Sequence, residues 1–247
     1  MIEGKIKKDG DACMANYQRV LLKLSGEALA ADGKEIYDHA FLDRIAGVIK
    51  KCVDGGTQVA VMVGAGNIWR GRQGVDMDRG TADSMGMLAT CINALMLKDT
   101  FCRAGMDARV LTSVEMPQFA EQYTAYRAKE YLAAGKVIVF GGGIGLPFFS
   151  TDTAAAMRAA EIGADVMLMA KNIDGVYTDD PKTNPAAVRL DTISCRDILK
   201  DGLRAIDSTA AALSMDTKIP VLVFGLDDPE NILRAVRGEQ LGTVITC

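Results

Sequence analysis

The chain has 247 residues, 49% hydrophobic and 24% charged, with 28 Lys and Arg against 32 Asp and Glu for a formal charge of -4. That apolar fraction excludes a disordered polymer, and the mild acidity gives no broad basic footprint for nucleic acid or an anionic membrane. One histidine, His39, argues against a His-rich zinc site and a Ser-His-Asp triad, so any chemistry falls to Lys, Arg, Asp and backbone.

Residues 1–16 are polar and aperiodic and include a second methionine, Met14; a mobile extension is expected there, ahead of one domain over 17–247. The segment lacks the apolar stretch of a secretory signal, and no later run reaches about 18 uninterrupted apolar residues, so a cytoplasmic protein is expected. Strands are expected at 19–24, 58–63, 108–111, 137–140, 166–170, 221–225 and 243–246. Helices are expected at 41–53, 82–104, 125–134, 151–162, as a pair within 195–215, and at 231–236. Several strands are continuously apolar, as strands covered on both faces must be, and the expected fold is α/β: a three-layer α/β/α sandwich around a mainly parallel sheet. The stretch 179–190, with Pro181 and Pro185, reads as a long surface loop. Six cysteines without a C-x-x-C pair read as reduced thiols.

Glycine follows three strands directly: Ser25-Gly26, Gly64-Ala65-Gly66-Asn67 and Gly141-Gly142-Gly143-Ile144-Gly145. Glycine lets successive N–H groups converge on anionic oxygens, and ligands of open α/β sheets sit beyond the carboxyl ends of the strands. One such glycine equally serves a tight turn; three along one edge favour an anion site. The chain has no G-x-x-x-x-G-K-[ST] loop, which sets aside a P-loop kinase. The Gly141 loop fails the G-x-G-x-x-G pattern, and no acidic residue follows to hold a ribose, which sets aside a dehydrogenase.

Lys23 interrupts the apolar run Leu21-Leu22-Lys23-Leu24. A buried ammonium needs a counter-charge or an anionic ligand; the competing reading is a lysine that snorkels to the strand end. Downstream, Pro147-Phe148-Phe149-Ser150-Thr151-Asp152 passes from a loop into an alanine-rich helix, with Ser150 and Thr151 as cap candidates. Asp152 either complements the helix dipole or also orients a lysine. Arg70 suits phosphate oxygens or a solvated surface, Asp83 a sugar hydroxyl or a helix first turn, and Tyr177 a stacked base or ordinary packing.

Together LLKLSGEAL (21–29), GAGNIWRG (64–71), DSMGMLAT (83–90), GLPFFSTDTAAAMRAAEIGAD (145–165), KNIDGVYTDDP (171–181) and GTVIT (242–246) resemble the amino acid kinase superfamily. Within it, DSMGMLAT and PFFSTDT resemble the bacterial uridylate (UMP) kinase family, over essentially 17–247. The resemblance implies transfer of the γ-phosphate of MgATP to UMP in pyrimidine nucleotide synthesis, with magnesium held through nucleotide phosphates rather than by protein ligands. It implies that Lys23, Leu24, Ser25, Gly26, Gly66 and Arg70 hold the ATP phosphates, while Asn172, Tyr177 and Asp180 surround the adenosine. Ala65, Asp83, Ile144, Gly145, Leu146, Pro147, Phe148, Phe149, Ser150 and Thr151 would cradle UMP. Asp152 would organise the catalytic lysine, Lys23, and Asp207 would be a second catalytic acid. A homohexamer, activated by GTP and inhibited by UTP, is implied by the same resemblance. Ala65 replaces a family glycine, and Ile144 and Leu146 depart from a frequent TGNP, which bears on uracil selectivity. The rival readings are another kinase of the superfamily and a nucleotide sensor of the same fold that does not turn over.

Overall fold

The computed structural model describes residues 17–30, 35–69, 76–181, 183–203 and 205–247. The expected extension at 1–16 and Arg70 lie outside the described residues. Five long strands form the centre: β1 (Arg19–Leu24), β2 (Gln58–Val63), β3 (Ala108–Thr112), β5 (Val137–Gly141) and β6 (Val166–Lys171). To them are added β4 (Glu121–Gln122), β9 (Thr192–Ser194), β10 (Val221–Gly225) and β11 (Thr243–Thr246). The nine run in the order β4-β3-β5-β2-β1-β6-β10-β11-β9. All neighbours are parallel except β10 and β11. A separate antiparallel pair, β7 (Val176–Tyr177) and β8 (Arg189–Leu190), lies outside this sheet.

Side chains alternate across each strand, and the alternation divides the core in two. Val20, Leu22 and Leu24 face α1 (His39–Asp54), α2 (Arg79–Arg103) and α7 (Glu230–Val236). Leu21, Met62, Phe140 and Met169 face α3 (Ala125–Ala133), α4 (Thr151–Ile162), α5 (Cys195–Asp201) and α6 (Ser208–Thr217). The layers are therefore helix, sheet, helix, as the apolar runs require. Phe224 on one face and Phe140 on the other are both fully buried. Each contributes roughly 1.5–3 kcal/mol relative to exposure.

Expected and observed strands agree in centre and differ by one residue at some ends, such as Thr112, Gly141 and Lys171. The exceptions are β4, β7, β8 and β9, whose two or three residues are too short to carry a period. Tyr177 lies in the short strand β7, and the expected 179–190 loop ends in β8. The cysteine reading is corrected at one pair: Cys195 and Cys247 form a disulfide, with Cα atoms 5.4 Å apart. β9 and β11 are parallel neighbours in which Thr246 pairs with Ser194, so the residues that follow each strand must meet. Cys52 and Cys91 are free and buried, and Cys102 is free and exposed. Among the described residues no helix is long and apolar enough to cross a membrane.

Candidate active site

Parallel strands deliver their carboxyl ends to one edge, and the glycine loops after β1 and β2 interlock there. A β-carbon on Gly26 would lie 2.7 Å from the Gly64 carbonyl oxygen and closer still to the Gly66 nitrogen, so only glycine fits. A β-carbon on Gly64 would lie 3.1 Å from the Gly26 nitrogen and 3.5 Å from Thr151 Oγ1. The Gly64–Gly66 loop is thereby packed against both the Gly26 turn and the start of α4. From α2, two buried side chains hold the edge. Asn93 Nδ2 donates to the Gly64 carbonyl at 2.8 Å, and Thr90 Oγ1 accepts from the Gly142 N–H at 2.8 Å.

Lys23 is only 8% exposed. It stands on the α4 face of β1, with Met62 and Met169 beside it in register on β2 and β6. The start of α4 is fixed opposite it, because Ser150 caps the helix through the N–H groups of Asp152 and Thr153. Asp152 then offers one carboxylate oxygen to Lys23 Nζ at 2.9 Å and the other to Lys171 Nζ at 3.7 Å. Lys171 also donates to the Ala205 carbonyl. Burial alone would raise the Asp152 carboxyl, but the two ammonium groups outweigh it and hold the acid below its ordinary 3.8. Burial lowers the Lys171 ammonium from 10.5; Asp152 opposes that shift and Lys23 adds to it. Lys23 and Lys171 are thus held as a pair of ammonium groups at the strand ends, the charge that an anionic ligand would meet.

Lys23, Ser25, Asn172, Tyr177 and Asp180 line one cavity of about 820 Å³, so these expected ATP residues are brought together. The same cavity is lined by Lys171, Gly202, Leu203 and Ala205, which sequence reasoning missed. Leu24 brings no side chain to it: the side chain is buried in the α1 core, and its carbonyl accepts from the Gly64 N–H. Tyr177 is held at the wall by its hydroxyl, which donates to Asp174 at 2.8 Å.

The expected UMP residues gather elsewhere along the edge. Gly142, Gly143 and Gly145 all have positive φ, and the loop then reaches Phe148, a non-glycine residue at φ 72°. That conformation costs energy in an L-residue. Asp83 compensates by accepting the Phe148 N–H at 2.8 Å, and the Arg79 guanidinium lies 5.7 Å from the Phe148 ring centroid. Asp83 also pairs with Arg79 Nε at 2.8 Å, so its carboxylate is engaged by the loop and its own helix. Leu146, Phe148 and Phe149 are exposed, whereas Ile144 packs partly into the core. Ala65 sits in the Gly64–Gly66 loop and accepts from the Ile68 and Trp69 N–H groups. Asp207 caps α6 through the Ala210 N–H and accepts from the hydroxyls of Ser150 and Thr153. It ties the starts of α4 and α6 together.

Residues 18–225 match the model of the amino acid kinase family, and the chain belongs to that family. The chain is similar to the UMP kinase of Bacillus anthracis at 38% identity and TM-score 0.90, covering 94% of this chain and 96% of that one. It is similar to the UMP kinase of Ureaplasma parvum at 35% identity and TM-score 0.88, covering 94% and 99%. The uridylate kinase of Archaeoglobus fulgidus aligns at 30% identity and TM-score 0.72, covering 92% and 99%.

Proposed function

We propose that this chain is a UMP kinase that transfers the γ-phosphate of ATP to UMP, giving ADP and UDP. The observation that carries this reading is Lys23, a cation held inside an apolar strand by Asp152 and opening into the cavity with Ser25, Asn172, Tyr177 and Asp180. ATP would occupy that cavity, its phosphates on Lys23, Ser25, Gly26, Gly66 and Arg70. UMP would lie along Ala65, Asp83 and residues 144–151.

Phosphoryl transfer needs positioning and charge neutralisation more than covalent help. Lys23 and Lys171 would meet the charge that spreads over the transferred group's oxygens. Asp152 orients both ammonium groups, and Asp207 keeps the α4 start in place through Ser150 and Thr153. No general base is required, because the acceptor phosphate oxygen is already anionic. Asp152 and Asp207 are engaged by lysines and hydroxyls, so this donor set suits a magnesium ion carried on nucleotide phosphates. Bound that way, magnesium would neutralise phosphate charge.

A homo-oligomer belongs to the same reading. Met85, Leu88, Ile92 and Leu95 are exposed along α2 at intervals of three, four and three residues. These side chains recur at helical spacing, so they form one apolar stripe that would be covered if α2 packed against its own copy across a two-fold axis. The hexamer, GTP activation, UTP inhibition, cytoplasmic location, place in pyrimidine nucleotide synthesis and single domain over 17–247 rest on the sequence reading.

The decisive experiment couples ADP release to oxidation of a reporter, with UMP, CMP, acetylglutamate, aspartate and carbamate offered in parallel. UMP-dependent ADP formation well above the others is expected. Preference for another acceptor would assign a different kinase of the family, and ATP binding without turnover would assign a sensor.

A further inference from the structure

Among the described residues, the charged side chains that are buried are Lys23 and Arg158. Lys23 is accounted for by the cavity; Arg158, 5% exposed and further along α4 than Asp152, is not. A guanidinium is buried at a cost that only close partners offset. Arg158 has three: Glu161 Oε2, Ser113 Oγ at 2.9 Å, and the face of Tyr123, whose ring centroid lies 3.8 Å from Cζ. The Tyr123 hydroxyl donates to the same Glu161 oxygen at 2.6 Å, which closes the cluster.

The polarity of the next contact follows from donor chemistry. A guanidinium only donates. Ser113 Oγ therefore accepts from Arg158 and directs its single proton to its other partner, the Gly143 carbonyl oxygen, 2.7 Å away. In a trans peptide the carbonyl and the following N–H point in opposite directions. With the Gly143 carbonyl drawn toward Ser113, the Ile144 N–H is turned away from it. Gly142, Gly143 and Gly145 all have positive φ, so this loop has unusual backbone freedom and needs an external tether to hold one orientation.

We propose that Ser113 and Arg158 are positioning residues for the acceptor loop: Arg158 orients the Ser113 hydroxyl, and Ser113 fixes the 143–144 peptide so that the Ile144 amide faces bound UMP. The inference rests on the reading of residues 144–151 as the UMP site.

The test uses Ser113→Ala, Arg158→Met and the double variant in the full chain. Ser113→Ala should raise KM for UMP about tenfold, the scale of one lost hydrogen bond, and leave KM for ATP within about twofold. Arg158→Met should shift KM for UMP in the same direction, and the double variant should be no worse than Ser113→Ala alone. In the nucleotide-free protein, Ser113→Ala should shift and broaden the Ile144 amide resonance, which reports the orientation of the 143–144 peptide. An unchanged KM for UMP, parallel rises in both KM values, fully additive effects, or an unchanged Ile144 resonance would each overturn the relay. A shifted resonance in a protein whose wild type never phosphorylates UMP would instead overturn the proposed function and keep the tether. A merely structural role would lower the melting temperature without separating the two KM values.

Discussion

Lys23 and Lys171 share one carboxylate, each facing a different oxygen of Asp152, at 2.9 and 3.7 Å. β1 and β6 are adjacent parallel strands, so the two lysines are near neighbours in the sheet although far apart in sequence. Methionine at position 23 keeps the length and apolar stem of the lysine and removes the charge. Lys23→Met should fold, retain its melting temperature within a few degrees and lose at least about a hundredfold in kcat, the scale of removing one donor to a developing anion. Near-normal turnover would remove Lys23 from the mechanism.

Lys171 makes a pH signature. Its ammonium is held below 10.5, chiefly by burial, so it loses its proton earlier than a free lysine. In kcat/KM, which reports free-enzyme groups, activity should fall as pH rises through a value below 10.5. Lys171→Arg should remove that alkaline limb, because a guanidinium stays charged throughout. Stability runs the other way. Between the lowered folded value and 10.5 the unfolded chain binds more protons at this site, so its contribution to stability rises with pH. Loss of the limb from activity but not from stability, or the reverse, would separate the two roles.

Gly26 tests the interlocked loops. A β-carbon there would lie 2.7 Å from the Gly64 carbonyl oxygen, a backbone atom that cannot rotate aside. Gly26→Ala should therefore push the two loops apart and weaken ATP, read as a rise in KM for ATP of about tenfold or more. Gly47→Ala, on α1 with open space around it, is the matched control and should leave both KM values unchanged.

The exposed stripe on α2 makes a prediction about assembly. Leu88→Lys with Ile92→Lys places like charges at the centre of the proposed contact and should reduce the molar mass measured by light scattering. An unchanged mass would move the interface elsewhere. The two side chains are exposed in one chain, so folding of the separated chain should be spared.

Much of this was legible in the sequence for reasons that can be named. Lys23 announced itself by interrupting an apolar strand, and the glycine turns by following strands directly. Asp152 stood just past a loop at a helix start. Lys171 gave less sign: it ends β6 instead of breaking it, and a lysine at a strand end is ordinary. Arg158 sits among alanines in α4, and its burial is set by Tyr123 and Ser113 arriving from distant segments. The Cys195–Cys247 pair was invisible for the same reason, since only the β9–β11 register brings the two residues together. Signals confined to one segment could be read; those made by sheet order could not.

The strand order also bears on how the protein comes to life on a ribosome. β1 is made before the other described strands, yet it lies in the middle of the sheet, flanked by β2 and β6, and Lys23 meets its counter-charge only when α4 is complete. A nascent chain that stops before Lys171 carries an uncovered strand edge and half a cation site. Premature termination anywhere upstream should therefore yield inert, aggregation-prone fragments rather than a weakened enzyme.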